Sequence, residues 1–304
     1  MNEEQLTQIF VKVDDFCQAF DHQISQFRRL TCTGSRPSRN RSSQLCDSEV
    51  ITILIGFHLG AHRTFKHYYE QLIRTHCSQL FPGLVSYNRF LELRRKAAIP
   101  FMLFLKQECM GACTGINFID STALRVCHNR RITRHRTFAG LAERGKTTMG
   151  WFFGFKLHLI VNEKGELLSF YLSKGNVDDR NTRVIQEMTR DLFGKLFGDK
   201  GYISQALFDT LFADGIQLIT RLRKNMKGHI MSLSDKILLR KRALIETIND
   251  ELKNHCQLEH TRHRSVDGFL FNIMSGLAAY SFFPKKPCLN LERVYENQLM
   301  LLPA

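Results

Sequence analysis

Three segments of the chain carry acids suited to phosphodiester chemistry. Phe118-Ile119-Asp120-Ser121-Thr122 places Asp120 at the close of a short apolar run, Gly115–Asp120, that reads as a strand. Gly198-Asp199-Lys200-Gly201-Tyr202 places Asp199 at the end of a second short strand, Leu196–Asp199. Glu246 lies between Arg242 and Lys253 on a stretch, Leu233–His255, that reads as one long helix. Carboxylates in that number are hard oxygen ligands. They can hold two Mg²⁺ ions roughly 3.5–4 Å apart around an in-line displacement at phosphorus. Each piece has an ordinary structural use as well. A strand-end Asp is a turn or cap residue, and a Gly-Asp-Lys-Gly run is a tight turn. A Glu among cations on a helix is a solvated ion-pair face. Their order inside a strand-rich α/β pattern is what favours the chemical reading. Asp178 and Asp179 compete with Asp199, although one of them reads as the cap of the following helix. Glu251 competes with Glu246, but five residues of helix turn it away from the Arg242–Lys253 stripe.

The elements that must position these acids follow from hydrophobic periodicity. From residue 113 the pattern is strand-rich. Trp151–Val161 and Leu167–Leu172 flank Asn-Glu-Lys-Gly as a β-hairpin. A helix (Asn181–Phe193), a strand (Leu196–Asp199), a helix (Gln205–Ala213), a strand (Ile216–Arg221) and the long helix follow. Along that long helix, at 100° per residue, Arg242 and Lys253 stand about 40° and about 20° to either side of Glu246. Leu239 shares the stripe. Lys156 and His158 alternate with Phe155 and Leu157, so they share one sheet face. His158 could approach the metals from there, or serve as a hydrogen-bonded structural histidine.

Residues 1–112 read as helices. Glu3–Phe20 carries the stripe Leu6, Ile9, Phe10, Val13 and Phe16. A basic loop, Thr33–Gln44, bears Arg36, Arg39 and Arg41. Asp47 or Ser48 caps a helix to about Leu59, a further helix spans Phe65–His76, and Ser86 caps another that ends near Pro100. That last helix presents Arg89, Arg94, Arg95 and Lys96. The set is compatible both with a helix-turn-helix-like DNA reader and with a solvated helical face.

Charge points to a polyanion. The 304 residues hold 43 Lys and Arg against 29 acids, a net charge of +14, which suits a nucleic-acid partner. Arg125, Arg130, Arg131, Arg134 and Arg136 cluster just after the first strand and read as phosphate grips. No apolar run is long enough to span a membrane, and the N-terminus does not read as a signal peptide. The nine cysteines are scattered and read as free thiols of a reducing cytoplasm. Zinc held by Cys127 and His128 with distant partners is the weaker alternative.

Asp120, the Gly198-Asp199-Lys200-Gly201-Tyr202 segment and the Arg242, Glu246, Lys253 spacing together resemble the DDE transposases of bacterial insertion sequences. Cys127-His128-Asn129-Arg130-Arg131 and Gly150-Trp151-Phe152-Phe153-Gly154-Phe155-Lys156-Leu157-His158 resemble the insertion-sequence family numbered nine-eighty-two. The resemblance runs from residue 1 to about 284. Related families place a Tyr three residues before the Arg, and here that position is Leu239. The resemblance implies an α/β, ribonuclease-H-like catalytic core at 113–284, a mixed sheet flanked by helices. It also implies an all-helical DNA-binding domain at 1–112 and a tail at 285–304. It implies that Asp120, Asp199 and Glu246 hold Mg²⁺ or Mn²⁺, two ions in all. Arg125, Arg130, Arg131, Arg134, Lys200, Arg242, Lys253, Arg94 and Arg95 would contact DNA. The expected partners are terminal inverted repeats, target DNA and a second copy in a synaptic homodimer. The expected setting is the bacterial cytoplasm, at the nucleoid. The expected reaction is hydrolysis at the transposon end, then attack of the freed 3′-OH on target DNA. A purely hydrolytic nuclease of the same fold, or an inactive DNA-binding relic, is the alternative.

Overall fold

A computed structural model describes residues 2–31, 44–148, 150–221 and 231–290. The basic loop with Arg36, Arg39 and Arg41, and the tail beyond residue 290, lie outside the described residues. The chain forms two compact units. One is Met1–Cys109, His255–Gln257 and Asp267–Phe282, and the other is Met110–Asn254, Leu258–Val266 and Phe283–Ala304.

The first unit is helical. In α1 (Glu3–Thr31) the residues Leu6, Ile9, Val13 and Cys17 are buried, a spacing of three and four that lays one stripe against the core. The helix runs eleven residues past Phe20, the end expected from sequence. Its neighbour α2 (Asp47–Leu59) is apolar all round and buried through most of its length, so it forms the centre of the unit. Its cap is Cys46, whose N–H donates to the Glu49 carboxylate at 2.9 Å. Asp47 and Ser48, the expected caps, lie inside the first turn, where Ser48 donates to Asp14 at 2.6 Å. The helix expected over Phe65–His76 is a single turn, α3 (Phe65–His67), that widens into a π turn, Tyr68–Ile73. Ser86 does cap α4 (Tyr87–Lys96), accepting from the Arg89 N–H. Pro100 does not end a helix. It sits in the first turn of α5 (Ala98–Glu108), where a missing N–H leaves no bond unmade.

The second unit is built on a sheet. Its strands are β1 (Ile116–Cys127), β2 (Glu143–Thr147), β3 (Gly150–Asn162), β4 (Leu167–Lys174), β5 (Gly194–Gly198) and β6 (Ile216–Thr220). Antiparallel β1–β3 and β3–β4 pairs lead, and β5 then β6 join parallel to β1. The spatial order β4-β3-β1-β5-β6 follows from those pairs. Strand β2, absent from the sequence-based expectation, pairs with Gly150–Gly154, so it lies end to end with β4 along one edge of β3. Helices α6 (Thr182–Thr189) and α7 (Gln205–Ala213) supply Val184, Ile185, Met188, Leu207 and Leu211 to a core shared with Ile119, Ile160, Leu196 and Ile216. Three antiparallel strands followed by two parallel ones, with helices between, is the ribonuclease-H-like α/β fold.

Two expectations about elements change. Strand β1 does not end at Asp120 but continues to Cys127, held by β3 through that length. Only its β5 edge ends early, at the pair Phe118–Phe197. The long helix is also not continuous. It divides into α8 (Leu233–Arg240), α9 (Ala243–Asp250) and a π turn, Glu251–His255. At the break the ladder tightens to three-residue bonds, Leu244 N–H to Lys241 O and Ile245 N–H to Arg242 O, both 3.0 Å. Most of α10 (Val266–Ser281) counts with the helical unit, so the compact units do not follow a linear boundary at 284.

Candidate active site

Alternation along β1 sends Ile119 to the core under α6 and α7, and Phe118 and Asp120 to the opposite face. There Phe118 stacks on Phe197 of β5, with ring centroids 5.4 Å apart. The parallel ladder closes at that pair. Asp120 and Asp199 each stand two residues further on, at matching register where β1 and β5 part. A parallel edge that opens just there leaves room between the two acids.

Helix α9 lies against β1 and brings the remaining polar groups to Asp120. Arg242, its N-cap residue, stands 3.7 Å from Asp120 Oδ1 and is also hydrogen-bonded to Glu246 Oε1. Asn249, one turn beyond Glu246, donates from Nδ2 to Asp120 Oδ2 at 3.0 Å. Its own Oδ1 is buried without a hydrogen-bond partner among the described residues. No sequence signal had marked Asn249. Burial pushes the Asp120 carboxyl up to about 6, Arg242 and the Ser121 N–H pull it down, and Glu246 and Asp199 raise it further. Glu246 and Asp199 therefore both lie within electrostatic reach of Asp120. Asp199 is exposed and caps a 3₁₀ turn, Lys200–Tyr202, accepting from the Lys200 N–H at 2.6 Å. It is thus a cap residue as well as a candidate ligand.

The rivals fall elsewhere. Asp179 accepts from Ser121 Oγ at 2.8 Å and pairs with Lys156 at 3.0 Å. Ser121 points away from the Asp120 face, so Asp179 serves the other side of the sheet. His158 shares that side, buried and bonded to Ser173 Oγ at 2.8 Å, and burial drives its pKa down to about 4. It is a structural histidine and does not approach the acids. Asp178 is held at about 2 by its hydrogen bonds to Arg180, and the cap of α6 is Asn181, not either aspartate.

The expected phosphate grips divide sharply. Arg125 Nε and Lys253 Nζ both meet Glu259, at 3.7 and 3.0 Å. Lys253 lies past the end of α9, in the π turn, and Arg242 makes its ion pairs with Asp120 and Glu246 while Lys253 makes its own with Glu259. Arg130, Arg131 and Arg134 lie exposed on a 3₁₀ turn, Asn129–Arg134, and Lys200 is exposed beside Asp199. None of these four forms an ion pair among the described residues. In the helical unit Arg94 is buried, paired with Asp267 at 2.9 Å and stacked 4.6 Å over Phe271. Its guanidinium is committed to packing and presents nothing to DNA. Arg95 shares Asp267 at 3.0 Å but keeps two-thirds of its side chain exposed.

Metal ions fit the donor set in type: three carboxylates and a buried amide oxygen are hard ligands. Among the described residues no three His, Cys, Asp or Glu side chains converge closely enough to hold an ion as they stand. Arg242 bridges Asp120 and Glu246, and Asp199 is turned onto the Lys200 N–H.

Sheet order and the helices between the strands define a ribonuclease-H-like core. The profile of the family described as "Transposase DDE domain" matches residues 110–266, about half of the chain, and the chain belongs to that family. Among solved structures it is similar to a piggyBac transposase synaptic complex with hairpin DNA, at 12% identity and a TM-score of 0.46, covering 98% of this chain and 80% of that one. It is also similar to the Mos1 strand transfer complex, at 10% identity and a TM-score of 0.24, covering 87% and 84%. None of the curated proteins matches. Among the described residues no helix is long and apolar enough to cross a membrane.

Proposed function

We propose that the chain is an active DDE transposase of the insertion-sequence type, in the family numbered nine-eighty-two. It cleaves transposon ends and joins the freed 3′-OH to target DNA. The observation that carries this reading is that Asp120 and Asp199 each stand two residues beyond the last β1–β5 pair, with Arg242 bridging Asp120 to Glu246 from α9. Asp120, Asp199 and Glu246 would hold two Mg²⁺ or Mn²⁺ ions. Bound there, divalent cations would favour attack by water and offset charge on the phosphate oxygens.

The chain's own groups do the rest. Asn249 holds Asp120 through Oδ2, while Oδ1 faces Arg242. Arg242, once it yields a carboxylate, is the nearest cation to the scissile phosphate. Lys253 and Arg125 sit on Glu259, ready to exchange a carboxylate for a phosphate. Arg130, Arg131, Arg134 and Lys200 grip the flanking backbone. Arg95 keeps an exposed head for a DNA contact within the helical unit. A homodimer would bring two transposon ends together in the bacterial cytoplasm, at the nucleoid.

The test is incubation with the element's own terminal DNA and Mg²⁺. Nicked and joined products are expected, and nicks without joining would assign a hydrolytic nuclease instead. Asp120→Asn, Asp199→Asn and Glu246→Gln should each lower cleavage by at least about 10²-fold, because each removes a charge that holds metal and offsets the developing oxyanion. DNA affinity should stay within about threefold. Wild-type cutting by any one variant would remove that residue from the site.

A further inference from the structure

Trp151 is the single tryptophan of the chain. It opens the long strand β3, yet 61% of it is exposed. One exposed aromatic residue is commonplace on a protein surface, and its surroundings are what give this one meaning. Across the hairpin Trp151 pairs with Lys146, whose ammonium lies 5.8 Å from the ring centre. Arg144, opposite Phe153, projects to the same side by alternation and is exposed. The Trp151 carbonyl accepts from Asn129 Nδ2 at 2.8 Å, which pins the Asn129–Arg134 turn to the strand end that carries the ring. That turn bears Arg130, Arg131 and Arg134, the exposed cations that have no ion pair among the described residues. Between residues 128 and 151 six Lys and Arg face a single acid, Glu143.

We propose that Trp151 is a stacking plate for an unpaired nucleobase, with the surrounding cations tracking the phosphates of the same strand. Bases inside a duplex offer no free face, whereas a single-stranded or extruded base does. An aromatic plate within a basic surface takes such a base without regard to its identity. The excess of positive charge selects a nucleic-acid strand over an apolar or basic protein partner. The proposal deepens the transposase reading and rests on it: strand cleavage at a transposon end creates, or requires, an unpaired nucleotide close to the cut.

Because the chain has one tryptophan, its intrinsic fluorescence reports on this ring alone. The full chain, without divalent metal, is titrated with oligothymidylate, with a duplex carrying a short single-stranded overhang, and with the blunt duplex. Binding is followed in parallel by anisotropy of labelled DNA. Quenching is expected with the first two and not with the blunt duplex, although all three bind. Trp151→Ala should weaken single-strand and overhang binding by about 10–100-fold and blunt-duplex binding by less than about threefold. Trp151→Phe should restore most of the loss. Anisotropy showing single-strand binding with unchanged fluorescence overturns the proposal, as does equal affinity in Trp151→Ala. Wild-type cleavage of transposon ends in that event leaves the transposase reading standing. Absence of binding to any DNA overturns both.

Discussion

Two short helical segments each present several arginines, and the structure uses them in opposite ways. Helix α4 carries Arg94 and Arg95, and one acid, Asp267, meets both. Arg94 is drawn in under that acid and over the Phe271 ring until it is nearly inaccessible. The Asn129–Arg134 turn carries Arg130, Arg131 and Arg134, all exposed and without an ion pair among the described residues. An arginine that is given a carboxylate and an aromatic face is part of the fold. Arginines left facing one another are tolerated only because they are hydrated, and a polyanion relieves them. Sequence does not tell these cases apart, since the α4 stretch reads as a basic helix and the 129–134 stretch as a basic cluster, and both were expected to meet DNA.

The comparison predicts its largest effect in the helical unit. Arg94→Met should lower unfolding free energy by about 1–3 kcal/mol, less than for a fully stranded buried charge, because Asp267 is partly exposed and keeps its bond to Arg95. The folded variant should bind DNA as the parent does. Urea titration together with anisotropy checks both halves, and a selective loss of DNA affinity without destabilisation would break the comparison. Arg95→Ala, at an exposed head, should change stability by less than about 1 kcal/mol.

The second effect belongs to the turn. Replacing Arg130, Arg131 and Arg134 together by Ala should leave the unfolding midpoint almost unchanged. Affinity for DNA should fall on the order of 10–100-fold, and the salt slope of binding should shrink by about 2–3 units, near 0.9 for each phosphate that is no longer neutralised. At saturating DNA, cleavage should proceed normally. An unchanged salt slope would show that these arginines do not meet phosphate.

The same contrast explains what the sequence could reveal. Asp120 and Asp199 were legible because apolar runs stop at an acid, and sheet topology then sets them side by side. The succession of strands and helices along the chain was also legible from periodicity, apart from β2. What was missed depended on partners far along the chain. Nothing near Arg94 announces Asp267, 173 residues away. Nothing near Lys253 marks Glu259 as its partner rather than a phosphate. The break at Lys241–Arg242 contains no Gly or Pro to signal it. Asn249 reads as an ordinary helical polar residue until Asp120 is seen beneath it. Strand β1 seemed to end at Asp120 because Ser121 and Thr122 are polar, but ladder bonds to β3 carry it seven residues further.

Asp120 lies between the two extremes, buried and only partly matched, and it offers the smallest but most direct test of the charge argument. Its side chain is 22% exposed, with Arg242 at 3.7 Å, yet burial and the neighbouring acids still raise its pKa to about 6. An unfolded chain ionises an aspartate near pH 4. Below about pH 4 the carboxyl is neutral in both states and contributes nothing. Between about 4 and 6 the unfolded chain releases its proton first, so the folded state loses stability as pH rises. Above about 6 the loss is complete and constant. Asparagine has the same shape and cannot ionise. In the presence of a chelator, Asp120→Asn should therefore match wild type at pH 4 and become more stable by about 1–2 kcal/mol at pH 7, a figure reduced for partial exposure. Adding Mg²⁺ should narrow or reverse the gap, because a cation that binds the ionised site stabilises wild type alone. Thermal melts at pH 4, 5.5 and 7, with and without Mg²⁺, decide the matter. A difference that does not vary with pH would mean that Arg242 already balances Asp120 fully, and that this acid belongs with Arg94 among the ion-paired charges of the fold.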